Sequence, residues 1–155
     1  MKRSIIALSL LLALTTLAAC GSSVKSPSID AFIAACKNAG GNISEPNSNG
    51  GGIAVDARSE GNWRAYYKQY NSVGTARLAF HPLKLLDYVE GIEASTYIHH
   101  GSYEAFSWAF EDGAITYGFR VKRTIISINV YPESDGGQAA LAIMEALGLT
   151  LEERP

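Results

Sequence analysis

Three features of this 155-residue sequence predict an α+β fold, a two-layer sandwich in which helices from both ends of the chain cover one face of an antiparallel β-meander. Apolar side chains recur at helical spacing over residues 29–39. Residues 95–131 alternate with period two between strong turn signals. A segment after Asp135 then returns to helical spacing.

In the first helix, Ile29, Phe32, Ile33 and Cys36 fall at i, i+3, i+4 and i+7. Ser28 suits the N-cap, Asp30 lies in the first turn, and Gly40-Gly41 end the helix. Residues 44–52 read as a loop with three consecutive glycines, and 53–57 as a short strand. Residues 63–70 carry two readings. Trp63, Tyr66, Tyr67 and Tyr70 make a helical stripe behind an Asn62 cap, yet the segment is rich in strand formers, which favours a strand. Residues 71–74 then serve as a hairpin loop to a second strand over 75–80, in which Phe80 and Leu78 share a face with Ala65 and Tyr67. His81-Pro82 stops that strand, Pro82 opens a helix running to Glu90, and Gly91 closes it.

The meander is more sharply patterned. Asp112-Gly113 signals a two-residue type I′ turn, which pairs Phe110 with Ile115, Trp108 with Tyr117 and Phe106 with Phe119. Directly opposed residues share a face, so these six form one aromatic surface. Ala105, Ser107, Ala109, Thr116, Gly118 and Arg120 then lie on the other side. A turn at Lys122-Arg123 adds Ile126, Ile128 and Val130 to the aromatic face, and a turn at Gly101-Ser102 brings Tyr97 opposite Phe106. Ser134 or Asp135 caps the last helix, whose stripe is Ala140, Ile143, Met144 and Leu147, with Gly148 closing it. The helices are expected to lie across the aromatic face.

The chain opens differently. Lys2 and Arg3 precede an apolar run over residues 5–14, broken only by Ser9, and small residues then lead to Cys20. This is the layout of a secretory signal, because the run is shorter than the ~18 residues of a spanning helix. Leu17-Ala18-Ala19-Cys20 closely resembles the lipobox of bacterial lipoproteins. The resemblance implies cleavage before Cys20, acylation of its thiol, and anchoring to the membrane of a bacterial envelope. Gly21 stands where such lipoproteins carry Asp for inner-membrane retention, so in a two-membrane host it implies the outer membrane. The expected organisation is a signal peptide over 1–19, an acylated cysteine and flexible tether over 20–28, and a single domain over 29–155.

Removing Lys2 and Arg3 leaves 11 Lys plus Arg against 15 Asp plus Glu, a net charge of −4. That acidic balance speaks against a nucleic-acid partner. With Cys20 given to lipid, Cys36 has no disulfide partner, and its place in the helical stripe makes it a buried hydrophobe. No nucleophile elbow, zinc-ligand spacing or phosphate-binding glycine pattern is present, so no enzyme and no cofactor is implied. Two clusters remain. The Gly101-Ser102 turn sets His99 across from Glu104, a pair that would seat a metal or small ligand with His81 as a further candidate. In the strand reading of 63–70, Tyr66 and Tyr70 flanked by Arg64 and Lys68 make an exposed tyrosine-and-cation patch. That chemistry suits a protein partner or the stacking of sugar rings in an envelope glycan.

Overall fold

The computed structural model describes residues 24–48, 51–80 and 89–152. The signal segment, Cys20, His81 and residues 82–88 of the helix expected from Pro82 to Glu90 lie outside the described residues. Seven antiparallel strands form one sheet: β1 (Asn42–Ile43), β2 (Gly52–Ser59), β3 (Trp63–Tyr70), β4 (Ile92–His100), β5 (Tyr103–Phe110), β6 (Ile115–Val121) and β7 (Thr124–Val130), in the spatial order β1-β2-β3-β7-β6-β5-β4. Three helices accompany them: α1 (Ile29–Asn38), α2 (Val73–Ala79) and α3 (Gly136–Ala146). The fold is α+β, as the sequence predicts.

The end helices form as their signals require. Ser28 Oγ accepts the Ala31 N–H at 3.1 Å, a cap that contributes about 1 kcal/mol. Phe32, Ala35 and Cys36 are buried. In α3, Ala140, Ile143 and Met144 turn inward, Leu147 follows them, and Gly148 at φ +64° ends the helix. Both helices cover the face formed by Trp63, Ala65 and Tyr67 of β3, Phe119 and Val121 of β6, and Ile126 and Ile128 of β7, all of them buried. Phe32 meets Tyr67 with ring centroids 5.4 Å apart.

Residues 63–70 are a strand, but their partners differ from the expected ones. β3 pairs with β2 on one side (Ala57 with Ala65, Val55 with Tyr67) and with β7 on the other (Ala65 with Ile128, Tyr67 with Ile126). The second strand expected over 75–80 is instead α2. Ser72 Oγ accepts the Thr75 N–H at 3.0 Å and caps the helix, and Ala76, Arg77, Leu78 and Ala79 are good helix formers. The alternating, β-branched β7 takes the position beside β3. Val89 and Glu90, expected to end a helix, are irregular.

The β6–β7 register is the predicted one, as is the pairing of Tyr97 with Phe106. The β5–β6 register is shifted by one residue. The Phe110 carbonyl accepts the Gly113 N–H at 2.9 Å, Gly113 stands at φ +86°, and the Asp112 carboxylate accepts the Ala114 N–H at 2.9 Å. The connection is therefore a three-residue loop ending on a left-handed glycine rather than a two-residue turn. A shift of one residue exchanges faces: Ala105 now opposes Phe119, and Phe106 opposes Gly118. The expected single aromatic surface is thus split. Phe119, Tyr117 and Ile115 remain beneath the end helices, whereas Phe106 and Trp108 look to the other side. There Phe80, just after α2, packs on Phe106 at 5.6 Å, and Phe106 meets Trp108 at 4.5 Å. The Phe106 ring lies directly over Gly118, where an added Cβ would come within 2.0 Å of it.

Candidate functional site

The outer face of the sheet, away from α1 and α3, carries both clusters singled out in the sequence. Along β3 the period-two alternation sends Trp63, Ala65 and Tyr67 inward, so Arg64, Tyr66, Lys68 and Tyr70 stand in a row on the outer side. Their cross-strand neighbours are mixed: Arg58 and Asn129 flank Arg64, Asp56 and Ser127 flank Tyr66, Ala54 and Ile125 flank Lys68, and Gly52 lies beside Tyr70. Tyr66 and Tyr70 are half-buried rather than fully exposed, because each lies against the backbone and its neighbours. This burial raises both phenols above their ordinary range, with the charge of Asp56 adding to the effect on Tyr66. Both remain neutral hydroxyls at physiological pH.

The cations of the row are already oriented. Arg64 Nε–H reaches both Asp56 carboxylate oxygens at 3.1 Å, and its Nη2 donates to the same carboxylate, a forked pair across β2 and β3. That bond raises the Arg64 guanidinium further above its ordinary value. Lys68 Nζ sits 4.9 Å from the Tyr70 ring centroid, a cation–π contact. Beyond Arg64 the face continues into a cleft of about 310 Å³ lined by Asn42, Ile43, Ser44, Asp56, Arg58 and Arg64. Sequence reasoning missed Asp56 and this cleft. Pairing 53–59 with 63–70 about Gly61 would have found Asp56, since it is the register that sets it opposite Tyr66.

His99 and Glu104 do face each other, with Nε2 and Oε1 3.7 Å apart. Glu104 is nevertheless committed elsewhere. The shifted β5–β6 register places it opposite Arg120, whose Nη2 donates to Glu104 Oε1 at 2.7 Å, and both side chains are buried. Arg120 Nη1 donates to the Lys122 carbonyl at 3.1 Å, while its Nε is buried with no acceptor. A metal at His99 would have to compete with a guanidinium for this carboxylate. Among the described residues no three His, Cys, Asp or Glu side chains gather in a metal-holding group. Cys36 lies on the buried face of α1, and desolvation pushes its thiol up to about 12, which leaves it unreactive. Among the described residues no helix is long and apolar enough to cross a membrane.

No family model, curated protein or solved structure matches this chain.

Proposed function

We propose that this chain is a bacterial envelope lipoprotein, acylated at Cys20, whose single domain binds another envelope protein or a glycan without catalysing a reaction. The lipobox-like Leu17-Ala18-Ala19-Cys20 supports the anchor, and Gly21 supports delivery to the outer membrane of a two-membrane host. The observation that carries the binding role is the outer row of β3. Two neutral phenols and two oriented cations stand side by side on a strand paired on both sides, with a cleft at one end. Tyrosine and arginine contribute disproportionately to protein interfaces, because they offer large contact area at low entropic cost. The same rings suit stacking against a sugar.

Photocrosslinking residues placed at Tyr66 and Tyr70 in the native host test the surface. The expected result is one discrete adduct that disappears in the Arg64→Ala, Lys68→Ala background. A crosslinker at the exposed Leu141 of α3, on the other side of the sheet, is the control. Loss of the adduct in every position, or equal adducts at Leu141, would remove the β3 face as the binding surface. The anchor is tested separately: Cys20→Ser is expected to release the protein from membranes.

A further inference from the structure

The two ends of the sheet differ in charge, and the tether leaves from one of them. Ser26 Oγ lies 2.8 Å from Thr124 Oγ1 and 3.3 Å from the Val121 carbonyl, and the Tyr67 hydroxyl donates to the Pro27 carbonyl at 3.2 Å. Val24 packs against the core. The chain is therefore pinned against the β6–β7 turn before α1 begins. Cys20 stands four residues before Val24, and at ~3.3–3.6 Å per residue it lies within about 14 Å of that point.

This end carries Lys25, Lys122 and Arg123, all exposed. The turn that presents the latter two is held on three sides. The Lys122 N–H donates to Ser102 O at 2.8 Å, its carbonyl accepts from Arg120, and the Arg123 carbonyl accepts the Tyr70 N–H at 2.9 Å. Asp30, in the first turn of α1, and Glu145 and Glu152, which line one cleft at the end of α3, are the carboxylates nearby. The opposite end, formed by the β2–β3 and β5–β6 turns and the segment after β7, carries Glu60, Glu111, Asp112, Glu133 and Asp135. Strands of seven or eight residues at ~3.3 Å each separate the two ends by about 25 Å. That distance exceeds two Debye lengths at physiological salt, where each is about 8 Å. A bilayer touching one end therefore does not feel the charges of the other.

We propose that the β6–β7 turn end, through Lys25, Lys122 and Arg123, docks on anionic phospholipid headgroups and holds the domain upright on the membrane. This rests on the lipid-anchored reading above. The acyl chains bring the domain to the surface, and the three cations select which end faces it, although the chain as a whole is acidic. In this pose the acidic end points away from the bilayer, and the β3 row stands along the side of the upright domain, where a neighbouring molecule can reach it. Each cation near an anionic surface favours the docked pose about fivefold, so removing two lowers the bias about 25-fold.

The test uses residues 20–155 made without acyl chains and coupled through the Cys20 thiol to a maleimide lipid, the buried Cys36 being inert to it. On nanodiscs of phosphatidylcholine with phosphatidylglycerol and a nitroxide-labelled headgroup, paramagnetic broadening of amides is expected around 101–103 and 121–124, and not around 60–62 and 111–113. The contrast is expected to vanish on pure phosphatidylcholine and in Lys122→Gln, Arg123→Gln, while Glu111→Gln, Asp112→Gln keeps it. Even broadening of both ends on the anionic discs, or the same contrast on neutral ones, overturns the proposal. Because Cys20 is joined chemically, that failure leaves acylation untouched, and the Cys20→Ser fractionation decides acylation independently.

Discussion

The two faces of this sheet reach order by different chemistry. The inner face is a continuous apolar layer beneath α1 and α3, where Trp63, Tyr67, Phe119, Ile126 and Ile128 are almost wholly removed from water. The outer face is divided. Near β5 and β6 it holds a small aromatic cluster of Phe80, Phe106 and Trp108, then the buried Glu104–Arg120 pair, and across β3 the half-buried row from Arg64 to Tyr70. The inner face therefore carries most of the stability, while the outer one tolerates polar groups and leaves β3 accessible. The lesson is that one strand does both jobs: alternate residues of β3 anchor the core and furnish the proposed binding row.

Substitutions that sharpen this contrast fall in a definite order. Phe119→Ala on the inner face is expected to cost about 3–5 kcal/mol, as truncation of a fully buried aromatic does; a denaturant titration measures it. Arg120→Met on the outer face is expected to cost about 3 kcal/mol or more, because it strands the Glu104 carboxylate without its cation. The double variant Glu104→Leu, Arg120→Met should recover most of that loss, and its failure to do so would show that packing rather than charge pairing dominates the site. Gly118→Ala is expected to cost about 1–3 kcal/mol by forcing the Phe106 ring off its seat.

Tyr66→Ala, which removes a half-buried ring, is expected to cost about 1–2 kcal/mol, and Arg64→Ala no more than about 1 kcal/mol, since the Arg64–Asp56 pair is solvent-screened. With the crosslinker at Tyr70, Arg64→Ala is expected to weaken or abolish the adduct. A pH series isolates one inner-face group. The Cys36 thiol is raised from 9.0 to about 12 by burial, so the folded state binds its proton more tightly than the unfolded chain does. Its contribution is fully present below pH 9 and is lost as pH rises toward 12. Between pH 8 and 10 the wild type should therefore lose more stability than Cys36→Ala, the tyrosines being common to both.

Much of this arrangement was legible in the sequence where signals are local. Ser28 capping α1, the stripe of α3 ending at Gly148, the β6–β7 register and the His99–Glu104 opposition depend on neighbours within one turn or hairpin. Two things were not. Asp112-Gly113 serves a two-residue turn and the last two positions of a three-residue loop equally well, and only packing chooses between them. That single ambiguity hid both the splitting of the aromatics and the Glu104–Arg120 pair. The partner of β3 was equally hidden, because β7 lies more than fifty residues downstream and nothing near residue 70 announces it. Of the candidate site, the β3 row was readable from alternation, whereas Asp56 and the cleft depend on how β2 is set against it.

Among the described strands, β3 against β7 is the one seam that joins the first three strands to the last four. The other neighbours in the sheet follow one another in sequence, so their assembly closes short loops. Closing the seam requires bringing together stretches more than fifty residues apart, which is entropically the slowest kind of event in this sheet. Maturation kinetics should accordingly be governed by that one zipper: variants weakening Ala65–Ile128 or Tyr67–Ile126 are expected to slow refolding more than equally destabilising changes within the β4–β5 hairpin.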